Sequence, residues 1–455
     1  MDVSLGSIYR LEEIVLKVKK LLGSVAVMAV IFIMMCFALI ELYDGPKHWV
    51  YPICGVLGML IVGICVIRGN LWSYYDAILF SAFLCLSMIS SLLWGIDPLD
   101  FLLSRFFSFW MICLSMYYVI QNYSDSKRYL EIFFFFAALI MCFISFYVVI
   151  HASSSIIRGV INQDEMKGCF SGGRLFAIGN ANTMGVASAG HVLISLAGLL
   201  NNPKKNKALR FFYIFSTFVG WMVLGLTGCR TGRIGLAAAL SIFAFVMIRE
   251  RMAGKRALFA GLISLVIFMA ILVSFVLPGL IYKGVMMAIG YLFSIDNLKG
   301  FKDIKNHKIL DDDGTMSGRT DIWLEMLRTS TKNAKRFFFG ISPLGTEQIH
   351  DVYAGHHEIK TIHAHNTYLE IFRKHGFLGF AVLMAFVTGW FVNSIKILFS
   401  KTKDSYTTFV MLITFAVLLM GISEPLPFVS TYECFIVLPF FMSCGYCIKV
   451  GRSLK

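Results

Sequence analysis

The sequence predicts an all-α polytopic membrane protein with about 12 transmembrane helices and one large, partly helical extracytoplasmic loop. Three observations support this fold class. Apolar residues make up 58% of the 455-residue chain, and charged residues make up only 15%. A typical soluble domain has about 25% charged residues. Apolar runs also recur that approach the roughly 20 residues a helix needs to cross a bilayer.

The apolar runs define the predicted spans in order. Helices are expected because each helix satisfies its own backbone hydrogen bonds in lipid. The first run is longer than the apolar region of a signal peptide, which has about 7–15 residues, so we expect it to be retained. Asn180, Asn182 and His191 dilute the sixth span, and the eighth span is short. The predicted spans are 22–42, 50–68, 72–94, 101–121, 129–151, 179–200, 210–229, 233–249, 257–281, 376–399, 405–422 and 430–448.

The basic residues indicate the orientation of the chain. With the N-terminus in the cytoplasm, lysines and arginines concentrate in the cytoplasmic segments, as the positive-inside rule expects. An even number of spans then places both termini in the cytoplasm. The net charge of +14 is dispersed over many loops, so nucleic-acid binding is disfavoured. The cysteines fall mostly within spans, and they suggest no disulfide framework.

A long polar segment divides the chain into three regions. Long ordered loops are usually functional, and six of the ten histidines lie in this one, with a seventh, His375, directly after it. Trp323, Met326 and Leu327 recur at helical spacing there, with Ser317 or Thr320 available as a helix cap. The regions are 1–281 (transmembrane), 282–374 (extracytoplasmic loop, predicted to be catalytic) and 375–455 (transmembrane).

The motif "TGCRTGRIG" (227–235) places Arg230 and Arg233 at the outer end of two spans. Charged residues at membrane depth are costly and often functional. Arginine has a planar donor fork that suits phosphate oxygens. The alternative is that both arginines snorkel to the interface or pair with a carboxylate. The residues alone leave these two interpretations open.

The motif "SGRTDIW" (317–323) places Arg319 at the start of the helix predicted in the loop. A helix N-terminus favours anions, so Arg319 is a second candidate for phosphate binding. The alternative is an ordinary capping segment in which Arg319 pairs with Asp321 or a neighbouring acid. Taken alone, this motif favours the structural alternative.

The stretch "HNTYLEIFRKHGFLG" (365–379) combines histidine, asparagine and glycine. A neutral histidine is suited to general-base work near pH 7, which makes His365 a candidate. Asn366 can cap a helix over residues 367–375, and Gly376 can end it. These two residues are therefore also explained as helix punctuation. That explanation does not account for His363 and His365.

Three weaker signals remain. The pairs "HH" (356–357) and "HAH" (363–365) could ligate zinc, but the helical histidine pair with an intervening glutamate is missing. Asn182, in "GNANTMG", is a candidate for binding ligand hydroxyls, although helix packing is the simpler explanation. Glu424, in the proline-bounded turn "SEPLPF", is interpreted as structural.

With these motifs in view, the chain resembles the O-antigen ligase and polymerase superfamily of bacterial surface-polysaccharide enzymes. The resemblance rests on His365 and Asn366, followed nine residues later by "GFLG" (376–379). "GCRTG", "SGRTDIW" and "GNANT" resemble further motifs of the family, in the same order along almost the whole chain. Phe380 and Ala381 stand where the family has a pair of threonines.

The resemblance implies a membrane glycosyltransferase that needs no metal or cofactor. The donor would be an undecaprenyl-diphosphate-linked glycan in the outer leaflet, among the membrane lipids of the bacterial cytoplasmic (inner) membrane. Arg230 and Arg319 would bind the diphosphate, and His365 would remove a proton from an acceptor hydroxyl, with inversion at the anomeric carbon. Weaker candidates for the wall of the substrate pocket are Arg233, Asn182, His363, Asn366 and Tyr368.

The acceptor and two competing classes stay open. A ligase transfers the glycan to lipid A-core, whereas a polymerase transfers it to another lipid-linked glycan, and the shared motifs do not separate the two. A transporter or flippase of lipid-linked sugars would also explain many spans, but it predicts charges at mid-membrane and symmetric halves. A sensor would need a cytoplasmic output domain, and the short C-terminal tail provides none.

Overall fold

The computed structural model describes most of the chain from residue 50 onward. Within this described part, fifteen helices and two β-hairpins are present. The all-α class predicted from the sequence is confirmed. The described residues are 50–68, 74–122, 125–157, 169–171, 174–176, 181–201, 206–252, 257–295, 319–345, 349–354, 357–361, 364–400, 404–429 and 434–454.

The elements follow one another in chain order. The first half contains α1 (Val50–Arg68), α2 (Tyr75–Leu93), α3 (Pro98–Leu102), α4 (Arg105–Asn122), α5 (Ser126–Ile157), β1 (Cys169–Ser171), β2 (Arg174–Phe176), α6 (Ala181–Asn201), α7 (Lys207–Thr227) and α8 (Arg230–Arg251). The second half contains α9 (Ala257–Ser274), α10 (Leu277–Leu292), α11 (Arg319–Ser330), α12 (Ala334–Phe339), β3 (Ile349–Ala354), β4 (His357–Thr361), α13 (Thr367–Phe399), α14 (Ser405–Met420) and α15 (Cys434–Ser453).

Seven helical stretches among the described residues are long and apolar enough to cross a membrane. The protein is therefore an integral membrane protein. Each predicted span from 50–68 onward overlaps a helix. The first predicted span, 22–42, lies outside the described residues, and the total of about 12 spans stays a prediction.

The sixth predicted span corresponds to α6, which lies at the centre of the helix bundle. Of its most apolar residues 83% are buried, against 17% in the stretch formed by α9 and α10. His191 of α6 is fully buried, and its Nε2 lies 2.7 Å from the Ser216 hydroxyl of α7. His191 therefore faces other helices rather than lipid, whereas Asn180 lies outside the described residues.

The ninth predicted span, 257–281, differs from the observed helices. The path breaks at Phe275 and Val276, between α9 and α10. Pro278 occupies the first turn of α10, where its missing N–H costs no helical hydrogen bond. The apolar run conceals this break because residues on both sides of it are hydrophobic.

The polar segment after α10 contains the helix predicted near Trp323 and Met326. Helix α11 begins at Arg319 and buries Ile322 and Met326. Leu327, expected on the same face, is 40% exposed. Thr320 lies inside the first turn rather than at the cap, and Ser317 lies outside the described residues.

The His-Asn motif opens α13, as predicted. The Asn366 carboxamide oxygen accepts hydrogen bonds from the N–H groups of Tyr368 and Leu369, at 2.9 and 3.1 Å. The prediction that Gly376 ends the helix over 367–375 is confirmed: its backbone angles are not helical, and a second helical stretch follows the kink as far as Phe399, where the sequence predicts a span over 376–399.

The kink depends on glycine because the backbone of α12 packs against it. Gly376 has a φ of 66°, and a Cβ at that position would lie 2.3 Å from the carbonyl carbon of Phe338. Helix α2 holds α12 in place. The Ser90 hydroxyl donates to the Phe339 carbonyl at 2.5 Å, and the Trp94 indole donates to the Gly340 carbonyl at 2.8 Å. The polar segment is thereby fixed to the helix bundle.

Candidate active site

The turn between α14 and α15 carries a buried carboxylate. Glu424 is only 6% exposed, and its N–H donates to the Met420 carbonyl at 3.0 Å, which continues the end of α14. A buried carboxylate is stable only if other groups donate to it or carry the opposite charge. The groups that surround Glu424 come from segments far away in the sequence.

Arg319 supplies the ion pair to this carboxylate. Its guanidinium Nη2 lies 3.2 Å from Oε1 of Glu424, and the two side chains are 19% and 8% exposed. Arg319 is the first residue of α11. The pairing with Asp321 that the sequence left open is therefore replaced by a pairing across 105 residues.

Arg174 and Asn182 form the next layer of contacts. The Arg174 Nη2 donates to Oδ1 of Asn182 at 2.6 Å, and its Nε donates to the Thr227 carbonyl at 2.8 Å. The Asn182 side chain in turn hydrogen-bonds to Glu424. The β1–β2 hairpin, the start of α6 and the end of α7 are thus connected to the same carboxylate.

The "GCRTG" motif reaches the turn through its threonine. The Thr231 and Ser423 hydroxyls lie 2.7 Å apart. Arg230, the first residue of α8, is partly buried and close enough to Arg174 for their charges to repel. Gly185 permits the close approach of α6 to the start of α8, because a Cβ there would lie 2.1 Å from the Cys229 Cβ.

Arg233 points into the bundle instead. Its Nη2 donates to the Gly225 carbonyl at 2.7 Å, and its guanidinium carbon lies 5.5 Å from the centre of the Phe275 ring. Only 7% of the residue is exposed. These contacts join α8 to α7 and to the break between α9 and α10.

The His-Asn motif contacts the turn through the Thr367 backbone and the last part of α14 through the Tyr368 side chain. The Thr367 N–H donates to the Gly421 carbonyl at 2.8 Å, and the Tyr368 hydroxyl donates to the Leu418 carbonyl at 2.9 Å. His365 is partly buried and has a φ of 48°. Residues other than glycine seldom adopt positive φ, and such backbone outliers cluster at functional sites.

Helix α11 is tied to the same motif by a second set of bonds. The Trp323 indole donates to the Ala364 carbonyl at 2.8 Å, and the Ala364 N–H donates to Oε2 of Glu370 at 3.0 Å. Glu370 is fully buried and pairs with Arg373 at 3.4 Å. The residue before His365 is therefore held from both sides, which fixes the backbone of the motif.

The electrostatics of this cluster are dominated by positive charge. Burial raises the pKa of Glu424 to about 7, although the charges of Arg319 and Arg174 and the hydrogen bonds of Arg319 and Asn182 oppose the shift. Burial also lowers the pKa of Arg174, and the nearby charges of Arg230 and Arg319 lower it further. Among the described residues, one carboxylate therefore faces several arginines, a composition suited to binding an anion.

Sequence reasoning missed two residues of this cluster. Arg174 was not among the predicted site residues, and Glu424 was interpreted as structural. Of the predicted candidates, Arg319 and Asn182 bond directly within the cluster, whereas Arg233 and Tyr368 bond to helix carbonyls. His363 lies outside the described residues.

The described residues thus define an integral membrane protein of packed helices with a cationic cluster at one end. Residues 215–384 match the family model described as O-antigen ligase. This match confirms the resemblance to the O-antigen ligase and polymerase superfamily. The matched segment includes Arg230, Arg319 and His365, and it ends before the Glu424 turn. No curated protein matches the chain significantly.

Proposed function

We propose that this protein transfers a glycan from an undecaprenyl-diphosphate carrier to an acceptor hydroxyl at the outer face of the bacterial cytoplasmic membrane. One observation supports the proposal most strongly. Four segments that the resemblance marks as functional make contacts at a single turn, residues 421–424. Their separation in sequence makes such a meeting unexpected for helix caps with unrelated roles.

The arginines are proposed to bind the diphosphate of the donor. Arg319 and Arg174 each present N–H groups within the cluster, and Arg230 adds a third charge beside them. When the bond from the anomeric carbon to the phosphate oxygen breaks, negative charge grows on the departing diphosphate. Fixed donors at that position stabilise the transition state more than the ground state, which accelerates the reaction.

His365 is proposed as the general base. It takes the proton of the acceptor hydroxyl, whose oxygen attacks the anomeric carbon from the face opposite the diphosphate. The new glycosidic bond forms as the old carbon–oxygen bond breaks, and undecaprenyl diphosphate leaves with the electron pair. The configuration at the anomeric carbon is inverted. The fixed backbone of residues 364–367 supports this role because a general base must be held close to its proton.

The topology is part of the proposal. The cluster and the His-Asn motif lie outside, and both termini lie in the cytoplasm. The donor reaches the cluster from the outer leaflet, and the acceptor is either lipid A-core, for a ligase, or a second lipid-linked glycan, for a polymerase. The resemblance implies that neither reaction needs a metal or a nucleotide, so chelators should leave transfer unchanged.

Transfer in vitro tests the proposal. Purified wild-type protein and the His365→Ala variant would receive a defined undecaprenyl-diphosphate oligosaccharide, with lipid A-core or with no added acceptor. We expect wild-type transfer, with a loss of about 10²–10⁴-fold in the variant. The acceptor used separates ligase from polymerase. Equal transfer by both proteins would remove His365 as the base. Movement of the lipid-linked sugar across liposomes without transfer would favour a flippase.

A further inference from the structure

The Arg319–Glu424 pair is looser than an optimal ion pair. The Nη2–Oε1 distance is 3.2 Å, whereas charge-assisted hydrogen bonds are usually about 2.7–2.9 Å long. Glu424 is nevertheless almost completely buried. An anion that offers Arg319 two shorter bonds can therefore compete with the carboxylate for the guanidinium.

The donor and the product of the proposed reaction differ in charge, and Glu424 can affect how tightly each one binds. The donor diphosphate is esterified at both ends, whereas the product, undecaprenyl diphosphate, has one free terminal phosphate. A terminal phosphate has a second ionisation with a pKa of about 6, so the product carries more negative charge than the donor at neutral pH. A purely cationic site would bind the product more tightly than the donor, and turnover would be limited by release.

We propose that Glu424 is a built-in competitor for Arg319, which it releases to the diphosphate of the donor and takes back as undecaprenyl diphosphate departs. This inference rests on the proposed function, because it assumes that the cluster binds the diphosphate. Glu424 is then a positioning residue that acts through Arg319. Its carboxylate lowers the affinity of the site for the product and so permits turnover.

The surroundings of Glu424 fit such an exchange. Asn182 donates to the carboxylate and accepts from Arg174, so the carboxylate keeps a hydrogen bond when Arg319 leaves it. The turn is held by its backbone and by the Thr231–Ser423 contact, which do not involve the Glu424 side chain. Movement can therefore be confined to two side chains.

The Glu424→Gln variant tests the inference by the sign of a change in affinity. Full-length protein in nanodiscs would bind farnesyl diphosphate, with farnesyl monophosphate as the control ligand. Removing the competing charge should tighten farnesyl diphosphate binding by roughly tenfold. In the transfer assay the same variant should give a first turnover at the wild-type rate, followed by a slower steady state and stronger inhibition by undecaprenyl diphosphate.

Two further variants keep the result interpretable. Glu424→Asp retains the charge on a shorter side chain, so its affinity for farnesyl diphosphate should lie between those of the wild type and Glu424→Gln. Glu325→Gln removes an acid that pairs with the exposed Arg328 on the outer side of α11, and it should change neither measurement. Size-exclusion profiles and melting temperatures would confirm that each variant is folded.

The possible outcomes separate this inference from the proposed function. Equal or weaker binding of farnesyl diphosphate by Glu424→Gln would overturn it, because a purely structural glutamate holds Arg319 in place and its loss impairs binding. Failure of the wild-type protein to prefer the diphosphate over the monophosphate would overturn both the diphosphate site and the inference. Tighter binding together with slow release would support both.

Discussion

Two buried arginine–carboxylate pairs lie near opposite ends of the helix bundle. Arg319 and Glu424 form one, beside the polar segment. Arg452 and Asp76 form the other, at the start of α2, whose far end holds α12. Helix α2 has 19 residues, which corresponds to a length of about 28 Å. The two pairs contain the same functional groups, but their surroundings differ.

Both carboxylate oxygens of Asp76 accept hydrogen bonds in the second pair. Tyr117 and Gln121 donate to one oxygen of Asp76, and Arg452 donates to the other. The Arg452 guanidinium also lies 4.2 Å from the centre of the Tyr74 ring. Four of these five residues lie in helices, and Tyr74 directly precedes α2. Within this described group, the positive charge of Arg452 is matched by the negative charge of Asp76.

The Glu424 pair lies in irregular structure and has an unequal number of charges among the described residues. Its participants come from turns, a hairpin and helix N-termini, and in the part of the chain that the structure describes the arginines outnumber the carboxylate. A matched, fully bonded pair locks helices together, whereas an excess of one charge beside irregular backbone creates a site for the opposite charge. The comparison indicates that the first pair serves stability and the second serves binding.

The largest expected effect is on activity. Arg319→Ala should lower the transfer rate by about 10²–10³-fold, because it removes a donor that stabilises the departing diphosphate. The melting temperature should fall less than in Asp76→Asn, because Asn182 still hydrogen-bonds to Glu424 and burial raises the pKa of this carboxyl to about 7, so that it can take up a proton. Transfer assays and thermal unfolding in the same detergent check both parts. A rate within threefold of the wild type would contradict the binding role.

The Asp76 pair should show the reverse behaviour. Asp76→Asn leaves Arg452 with an uncompensated charge, and breaking a buried pair in this way costs about 3–5 kcal/mol of stability. The melting temperature should fall clearly, while the correctly folded fraction retains transfer per molecule. A variant that is stable but inactive would mean that the two regions have been assigned the wrong way round.

The pKa of Glu424 predicts how stability depends on pH. Its folded-state pKa, raised by burial to about 7, lies above its ordinary value of 4.5. The folded state then binds the proton more tightly than the unfolded state does. This tighter proton binding stabilises the folded state by about 3 kcal/mol below pH 4.5. The stabilisation is lost as pH rises through about 7.

Melting temperatures at pH 5, 6, 7 and 8 check this dependence. The groups facing Glu424 are Arg319, Arg174, Asn182 and Cys229. The wild type should lose stability relative to Glu424→Gln between pH 5 and pH 8. Parallel curves for the two proteins would show that Glu424 does not titrate in this range.

The smallest expected effect concerns the position of the turn. Thr231→Val removes the hydroxyl bond to Ser423, which should cost about 1 kcal/mol. Transfer should fall several-fold because the turn carries Glu424. Thr388→Val is the matched control, since Thr388 is exposed and bonds only within its own helix in the described contacts. A similar loss of transfer in both variants would remove the special role of the turn.

The sequence predicts the helices well because membrane spanning leaves a local signal. Apolar runs marked each span from residue 50 onward, and Asn366 was recognised as a cap because its carboxamide bonds to residues two and three positions away. Gly376 was recognised as a helix end, but the packing of the Phe338 backbone against it was not, because that contact comes from another segment of the chain.

The site was only partly predictable because many of its contacts join segments that are far apart in the sequence. Arg319 and Arg230 stand in recognisable motifs, so the sequence identified them. Arg174 and Glu424 carry no local pattern, and their importance arises from contacts with Asn182 and Arg319 across long stretches of chain. A charged residue beside a membrane span was the available signal, but it did not show which partner each charge would find.

Binding of farnesyl diphosphate to three variants tests the central claim, that one cationic site is built around the Glu424 turn. Arg174→Ala and Arg319→Ala should each weaken binding by roughly 10–100-fold, the loss expected for a hydrogen bond to a charged group. Arg328→Ala, on the same helix as Arg319 but 84% exposed, should bind like the wild type. Equal losses in all three variants, or unchanged binding by Arg174→Ala, would contradict the claim.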